Sequence, residues 1–189
     1  MPSRANPIDN EGISVTTMAE PRYAGVLRLD GKRTLVTGAT KGIGADIARA
    51  FASAGAKLVL SGRDEAELET ARRSLTADYG AEVHTVAVDL ARSDGPDRLA
   101  EQAGDAFGGL DVLVNNAGVE SRGALCELPS DAIVQLIAVN VTAPVLLCRA
   151  VIPGMRARNR GHILNVSSLA GTNALPGVVP YSTSKAGLS

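Results

Sequence analysis

The stretch TLVTGATKGIG, residues 34–44, joins an apolar β-branched run to the beginning of a helical one. TLVT (34–37) predicts a buried strand, and GIGADIARAFASAG (42–55) predicts a helix that ends at Gly55. Between them, Gly38, Gly42 and Gly44 follow the pattern G-x-x-x-G-x-G. A glycine turn between a strand and a helix is typical of the first loop of a βαβ unit, so it sets the expectation for the rest of the chain.

The alternation of strand and helix patterns continues beyond this stretch. We predict four further strands, at KLVLS (57–61), EVHTVAVD (82–89), DVLVNN (111–116) and HILNVSS (162–168). Helical patterns lie between them at 64–80, at 93–108 and from about Ser130 onward, with Pro144 as an irregularity in the last. The alternation predicts an α/β fold: a doubly wound parallel sheet, Rossmann-like, with at least five strands and any ligand at their carboxyl ends.

The composition is that of one globular domain, with 45% hydrophobic and 21% charged residues in a chain of 189. The 19 basic and 20 acidic residues nearly balance, which argues against nucleic acid or an acidic membrane surface as a partner. We expect no stretch to be apolar for long enough to span a membrane. Cys126 and Cys148 lack metal-ligand spacing, so we expect no metal site, two reduced thiols and a cytoplasmic location.

The glycine turn predicts a dinucleotide site. Gly38 permits a tight turn, Gly42 lets the backbone approach a pyrophosphate, and the helix N-terminus offers N–H donors to that anion. Ordinary turn chemistry is the other interpretation of three such glycines. The predicted cofactor contacts of this turn are Gly38, Thr40, Lys41, Gly42, Ile43 and Gly44.

The end of the second strand bears on which cofactor binds. An acidic residue there suits the ribose 2′-OH of NAD, whereas an arginine suits a 2′-phosphate. Gly62 stands at the acidic position, Arg63 follows it, and Lys41 is a second cation nearby, so we favour NADP(H) over NAD(H). The alternative is two solvated basic side chains. Asp64 is expected to cap the following helix and so to turn away from the phosphate.

These residues are part of a wider pattern. TGATKGIG (37–44), VDL (88–90), NNAG (115–118), Asn140, the serine pair 167–168 and YSTSK (181–185) resemble the classical short-chain dehydrogenase/reductase family, in order and spacing. The resemblance runs from about Leu27 to the last residue. We therefore predict a flexible N-terminal extension at 1–24 and one NADP-binding Rossmann-like domain at 25–189, incomplete at the C-terminus relative to the family.

The resemblance implies a role for each matching residue. Tyr181 would be the acid/base, and Lys185 would lower its pKa and bond the nicotinamide ribose, so both would also contact the cofactor. Ser168, 13 residues before Tyr181 as is usual in the family, would orient the substrate oxygen, with Ser167 as the preceding strand residue. Asn140 would hold a water in a proton relay. The remaining cofactor contacts would be Asp89 and Leu90 beside the adenine, and Asn116, Ala117 and Gly118 on the ribose side; Asn115 is expected to be a buried structural hydrogen bonder.

The Tyr181–Lys185 pair also makes physical sense. A free tyrosine has a pKa near ~10, too high for a base at neutral pH. A unit charge at about 4 Å in an effective dielectric of roughly 20 is worth about 4 kcal/mol, which could lower that pKa by up to roughly three units. Singly, each site residue has an ordinary structural explanation, since a Tyr-x-x-x-Lys pair is common on helix surfaces. Pro180 before Tyr181 suits a helix start.

The resemblance implies an NADP(H)-dependent oxidoreductase that interconverts a carbonyl and a secondary alcohol, similar to 3-oxoacyl reductases or to sugar and polyol dehydrogenases. Family members continue for several tens of residues past this point, so we expect the family's last strands to be lacking and the fifth strand to be an exposed edge. The alternative is a truncated, catalytically incompetent chain that at most binds NADP(H) or a protein partner. A homodimer or homotetramer is typical of the family, an expectation that the truncation weakens.

Overall fold

The computed structural model describes residues 28–173 and 175–189. Within this part of the chain, strands and helices alternate as the sequence predicts. The strands are β1 (Arg33–Thr37), β2 (Lys57–Gly62), β3 (Val83–Ala87), β4 (Val112–Asn115) and β5 (His162–Asn165). The helices are α1 (Gly42–Ser53), α2 (Glu65–Tyr79), α3 (Gly95–Phe107), α4 (Ser130–Ile137), α5 (Ala143–Ala157) and α6 (Val179–Leu188). The N-terminal extension predicted at 1–24 lies outside the described residues.

The five strands form one parallel sheet in the order β3-β2-β1-β4-β5. The chain begins in the middle strand, moves outward to β3, and returns across β1 to β4, which creates a switch point between β1 and β4. Alternate residues of β1 face opposite layers of the core. Leu35 packs in the layer that contains α3 and α5, and Val36 packs in the layer that contains α1 and α2. The doubly wound fold predicted from the sequence is confirmed.

Local signals explain where the elements begin and end. The Asp64 carboxylate accepts hydrogen bonds from the backbone N–H groups of Ala66 (2.8 Å) and Glu67 (3.0 Å), so it caps α2 as predicted. Pro180 lies in the first turn of α6. The Asn115 side chain donates to the Asn165 side-chain oxygen at 2.9 Å, which confirms the structural role predicted for it.

The long helix that begins at Ser130 contains the predicted irregularity. Between α4 and α5, residues Ala138–Thr142 form a π-helical segment. Pro144 has no N–H to donate to the carbonyl of Asn140 four residues earlier, so a regular α-helix cannot continue through this point. The distortion places Asn140, which is fully buried, at the centre of the helical run.

This helical run corrects one sequence prediction. By length and composition, Ser130–Ala157 is apolar enough to cross a membrane, so the expectation that no such stretch exists was wrong. The fold offers a packing explanation for the apolar character, because Leu147, Val151 and Met155 are buried in the core against the sheet. β5 lies at the edge of the sheet, with Leu164 45% exposed, as the sequence predicted.

Candidate active site

The segments that follow β1, β2, β3 and β4 surround a cleft of about 660 Å³ at the carboxyl ends of these strands. Most of the predicted cofactor contacts line it: Gly38, Thr40, Lys41, Arg63, Asp89, Leu90, Asn116, Ala117 and Gly118. Gly42, Ile43 and Gly44 form the first turn of α1 beside the cleft instead, and Ile43 is 61% exposed there. Gln135 and Val139, which the sequence did not single out, also line the cleft.

Two glycines of the turn are required by the structure. Gly38 has φ +64°, a left-handed conformation, and a Cβ atom there would lie 2.9 Å from the Cα of Ala117. A Cβ atom at Gly44 would collide with the carbonyl oxygen of Gly38 and the Asn116 amide. Lys41 precedes α1 without forming a side-chain cap, so the first-turn N–H groups keep capacity for an anion.

Thr37, the last residue of β1, organises the switch point and was missed in the sequence. Its hydroxyl oxygen accepts from the N–H groups of Asn116 and Ala117, both at 3.0 Å, and its hydroxyl donates to the Val114 carbonyl at 3.2 Å. The Asn116 amide donates in turn to the carbonyls of Thr37 (2.9 Å) and Gly38 (3.1 Å). Asn116 therefore holds the glycine turn against the end of β4. A buried threonine at a strand end was the available signal, because its hydroxyl needs a partner.

The corner predicted for a 2′-phosphate is open and carries charges of both signs, because Asp64 and Glu67 line the same cleft as Lys41 and Arg63. Lys41 and Arg63 are exposed, both line the cleft, and neither forms an ion pair within residues 28–173 and 175–189. One oxygen of the Asp64 carboxylate, next to Arg63, accepts from the N–H groups of Ala66 and Glu67, but Asp64 still lines the cleft, so the expectation that capping turns it away from this corner was wrong. A Cβ atom at Gly62 would lie 3.1 Å from a methyl carbon of Thr40, so the floor of this corner is tightly packed.

Helix α6 presents Tyr181 and Lys185 one turn apart. The Lys185 ammonium nitrogen lies 5.8 Å from the centre of the Tyr181 ring and donates to the Val166 carbonyl at 2.7 Å. Lys185 is only 4% exposed, and this burial lowers the pKa of its ammonium group. Tyr181 itself is half-buried. Tyr181 and Lys185 are therefore neighbours one helical turn apart, as the sequence predicted.

The two serines after β5 have different surroundings. β5 ends at Asn165, so the prediction that Ser167 is a strand residue was wrong; the Ser167 hydroxyl donates to the Lys185 carbonyl at 2.9 Å and fixes the segment to α6. Ser168 precedes a short 3₁₀ turn, Leu169–Gly171, and its hydroxyl oxygen accepts from the N–H of Ala170 at 3.2 Å. That bond leaves the Ser168 hydroxyl hydrogen available for another acceptor.

The Asn140 side-chain amide uses nearly all of its hydrogen-bonding capacity. Its oxygen accepts from the N–H of Val119 at 2.8 Å, and its amide nitrogen donates to the Val119 carbonyl at 2.9 Å and to the Ser184 hydroxyl at 3.0 Å. One lone pair of the oxygen remains. The backbone carbonyl of Asn140 also lacks its α-helical donor, because the residue four positions on is Pro144.

The cleft at the strand ends and the Lys185 side chain meet at Gly118. A Cβ atom on Gly118 would lie 3.4 Å from the Asn140 side-chain oxygen and 3.6 Å from the Lys185 nitrogen. Gly118 itself lines the cleft. One small space beside the cleft is therefore bordered by Asn140 and Lys185 together, although these residues lie 45 positions apart in the sequence.

A doubly wound sheet with a glycine turn and a cleft at its switch point defines a nucleotide-binding fold of the Rossmann type. The chain belongs to the short chain dehydrogenase family, whose model matches residues 32–189. It is 37% identical over 178 residues to a short chain dehydrogenase of Pseudocercospora fijiensis, an alignment that covers 93% of this chain and 57% of the relative. The chain thus spans little more than half the length of that relative.

Solved structures give the same assignment. L-sorbose reductase from Gluconobacter frateurii, complexed with NADPH and L-sorbose, superposes with a TM-score of 0.82 at 38% identity, over 86% of this chain and 62% of that one. A metagenomic short-chain oxidoreductase in complex with NADP superposes with a TM-score of 0.81 at 46% identity, over 85% of this chain and 72% of that one.

Proposed function

We propose that the protein is an NADP(H)-dependent oxidoreductase that interconverts a carbonyl and a secondary alcohol, with Tyr181 as the acid/base. The proposal rests mainly on Gly118, which lines the cleft and also lies next to the buried Lys185 side chain. Tyr181 lies one helical turn from that lysine. The complexes of similar proteins with NADPH and with NADP support the choice of cofactor.

The residues present fit such a cofactor. The first turn of α1 suits the pyrophosphate, and Gly38 and Gly44 allow close approach of the backbone. Asp89 and Leu90 would border the adenine, with Asn116, Ala117 and Gly118 on the ribose side of the cleft. Arg63 and Lys41 would bind the 2′-phosphate, because both are exposed at the cleft and have no carboxylate partner in the described part of the chain.

The side chains near the carboxyl ends of the strands would transfer the proton to and from the substrate oxygen. When bound, the nicotinamide ring would supply a hydride to the carbonyl carbon or accept one from the alcohol carbon. The Tyr181 hydroxyl would give its proton to the substrate oxygen in reduction and take it back in oxidation. Ser168 would hold that oxygen with its free hydroxyl hydrogen, and Lys185, one helical turn from Tyr181, would bond the nicotinamide ribose. Asn140 would hold a relay water in the space beside Gly118.

The substrate would be a small molecule similar to 3-oxoacyl thioesters or to sugars and polyols. The similar L-sorbose reductase supports sugars as the substrate class. We further propose a cytoplasmic enzyme that forms a homodimer or homotetramer, with no metal, nucleic acid or membrane in its function.

A second candidate is a chain that binds NADP(H) without turnover, or that pairs its sheet edge with a protein partner. The exposed edge strand favours it, because within the described residues β5 pairs only with β4, and unpaired edges recruit other chains. All four predicted catalytic residues are nevertheless present, so binding and turnover have to be measured separately.

One experiment separates the two candidates. The purified chain is titrated with NADPH and with NADH, followed by nicotinamide fluorescence, and is then assayed with ketoses, simple ketones and 3-oxoacyl thioesters by the absorbance of NADPH. The proposal expects tighter binding of NADPH than of NADH and oxidation of NADPH with at least one carbonyl class. Binding without turnover across the panel would favour the second candidate. Equal affinity for both cofactors would contradict the assignment of Arg63 and Lys41.

A further inference from the structure

Ser184 lies between Tyr181 and Lys185 on α6 and is fully buried. We propose that Ser184 is a positioning residue, which fixes the turn of α6 that carries Tyr181 and Lys185 against Asn140 and the segment after β4. The evidence is a pair of short hydrogen bonds. The Ser184 hydroxyl donates to the Tyr181 carbonyl at 2.7 Å and accepts from the Asn140 amide at 3.0 Å.

The bond to Asn140 distinguishes Ser184 from an ordinary helix serine. A serine that donates to a carbonyl one turn earlier in its own helix is common and links nothing else. Here the same hydroxyl accepts from a side chain on the long helix that carries α4 and α5, so it joins two separate elements. Asn140 and Ser184 are both buried, and water cannot easily replace the bond between them.

The hydrogen bonds also define the orientation of the Asn140 amide. The N–H of Val119 requires the Asn140 oxygen, and the Val119 carbonyl requires the nitrogen. Because the Ser184 hydrogen is given to the Tyr181 carbonyl, its oxygen can only accept, which again requires the Asn140 nitrogen. A flipped amide would oppose two oxygens across the Val119 contact and break the bond to Ser184.

The consequence is a continuous chain of bonds from the Val119 backbone, through Asn140 and Ser184, to the backbone of Tyr181. Val119 and its neighbour Gly118 line the cofactor cleft. The distance between the cleft and the acid/base is therefore set by two buried side chains, of which only Asn140 belongs to the predicted catalytic set. Ser184 acts through these partners and touches no reacting atom.

The test compares Ser184→Ala with a matched control, Ser182→Ala. Ser182 lies on the same helix, and its buried hydroxyl forms no hydrogen bond within residues 28–173 and 175–189, so removing it breaks none of the bonds described there. In the wild-type chain, NMR hydrogen exchange should show a protected Val119 N–H and a slowly exchanging Asn140 side-chain amide. Ser184→Ala should speed exchange at Val119 by roughly tenfold or more, and Ser182→Ala by less than about twofold.

Catalysis supplies the second measurement, and only this arm rests on the proposed function. Ser184→Ala should lower kcat roughly 10- to 100-fold and raise the KM for NADPH by less than about threefold, because the acid/base is misplaced while the cofactor contacts outside α6 remain. Unprotected Val119 and Asn140 amides in the wild-type chain, or equal exchange in the two variants, would overturn the proposal whether or not the chain turns over. If Ser184→Ala leaves hydrogen exchange at Val119 unchanged and the wild-type chain has no turnover, both proposals are wrong. If the predicted exchange pattern is seen but the wild-type chain has no turnover, only the enzymatic function is contradicted.

Discussion

Replacing Gly118 with alanine tests the site at the point where its two halves meet. Gly118 lies outside the left-handed backbone region, so an alanine there is not strained. The added methyl carbon would lie 3.4 Å from the Asn140 oxygen, 3.6 Å from the Lys185 nitrogen and 3.9 Å from the Asn116 carbonyl. These are ordinary van der Waals distances, so the fold can accept the methyl group without moving a neighbour.

The magnitudes follow from that geometry. Gly118→Ala should change the free energy of unfolding by less than about 1 kcal/mol, because no contact is too short and the unfolded chain loses some entropy. The same methyl group fills the space between Lys185 and the cleft. We expect NADPH binding to weaken and kcat/KM to fall roughly 100-fold, equivalent to about 2.7 kcal/mol, since a displacement near 1 Å at a reacting centre has effects of this size.

The measurement is a urea melt, an NADPH titration and a steady-state assay on the same preparation. Gly104→Ala is the control, because Gly104 lies inside α3 and a Cβ there meets nothing within 4 Å. That variant should gain about 0.5–1 kcal/mol of stability and keep its cofactor affinity. If Gly118→Ala keeps an NADPH affinity and a kcat/KM within about threefold of wild type, the space beside Gly118 has no role in binding or catalysis and the reasoning is wrong.

Three further changes have definite expectations. Arg63→Ala should weaken NADPH binding roughly 10- to 100-fold and leave NADH binding within about twofold, because only NADPH carries the 2′-phosphate; paired titrations check it. Asp111→Asn should lower the free energy of unfolding by about 3 kcal/mol at neutral pH, because the buried Asp111 carboxylate forms a two-bond pair with Arg33, and denaturant melts measure the loss. Arg33 holds the pKa of Asp111 below its ordinary 3.8, so this stability should be present above about pH 4 and decline as the pH falls further; a wild-type profile that is flat there would contradict it. Lys185→Met should abolish turnover yet melt no lower than wild type at pH 7, because burial lowers the pKa of Lys185 and its charged form destabilises the native state; that difference should shrink as the pH rises toward the ordinary value of 10.5.

The parts of the fold that local physics determines could be predicted from the sequence. β-branched apolar runs gave all five strands, and Asp64 and Pro180 marked helix starts at the correct turns. Pro144 marked the irregular helix, because the absence of one N–H is visible in the sequence itself. Most residues that line the cleft could be predicted because glycine spacing and strand ends determine where the cleft forms.

The contacts between distant segments could not be predicted. The bonds of Thr37 to the segment after β4 and of Ser184 to Asn140 depend on how strands and helices pack, and no local pattern identifies the partner. Ser167 was misplaced because a polar pair at a strand end resembles a continued strand, whereas β5 stops at Asn165 and the chain turns toward α6. The apolar length of Ser130–Ala157 was missed because its pattern is interrupted by single polar residues.

The most direct test of the central claim is turnover by wild type and Tyr181→Phe with the carbonyl that gives the highest rate in the NADPH panel. Phenylalanine keeps the ring beside the Lys185 nitrogen and removes only the hydroxyl that would carry the proton. Cofactor affinity, measured in the same samples, should stay within about threefold, while the rate of NADPH oxidation should fall by roughly 100-fold or more, the contribution of a positioned acid/base. A Tyr181→Phe chain that reduces the carbonyl at the wild-type rate would contradict the account.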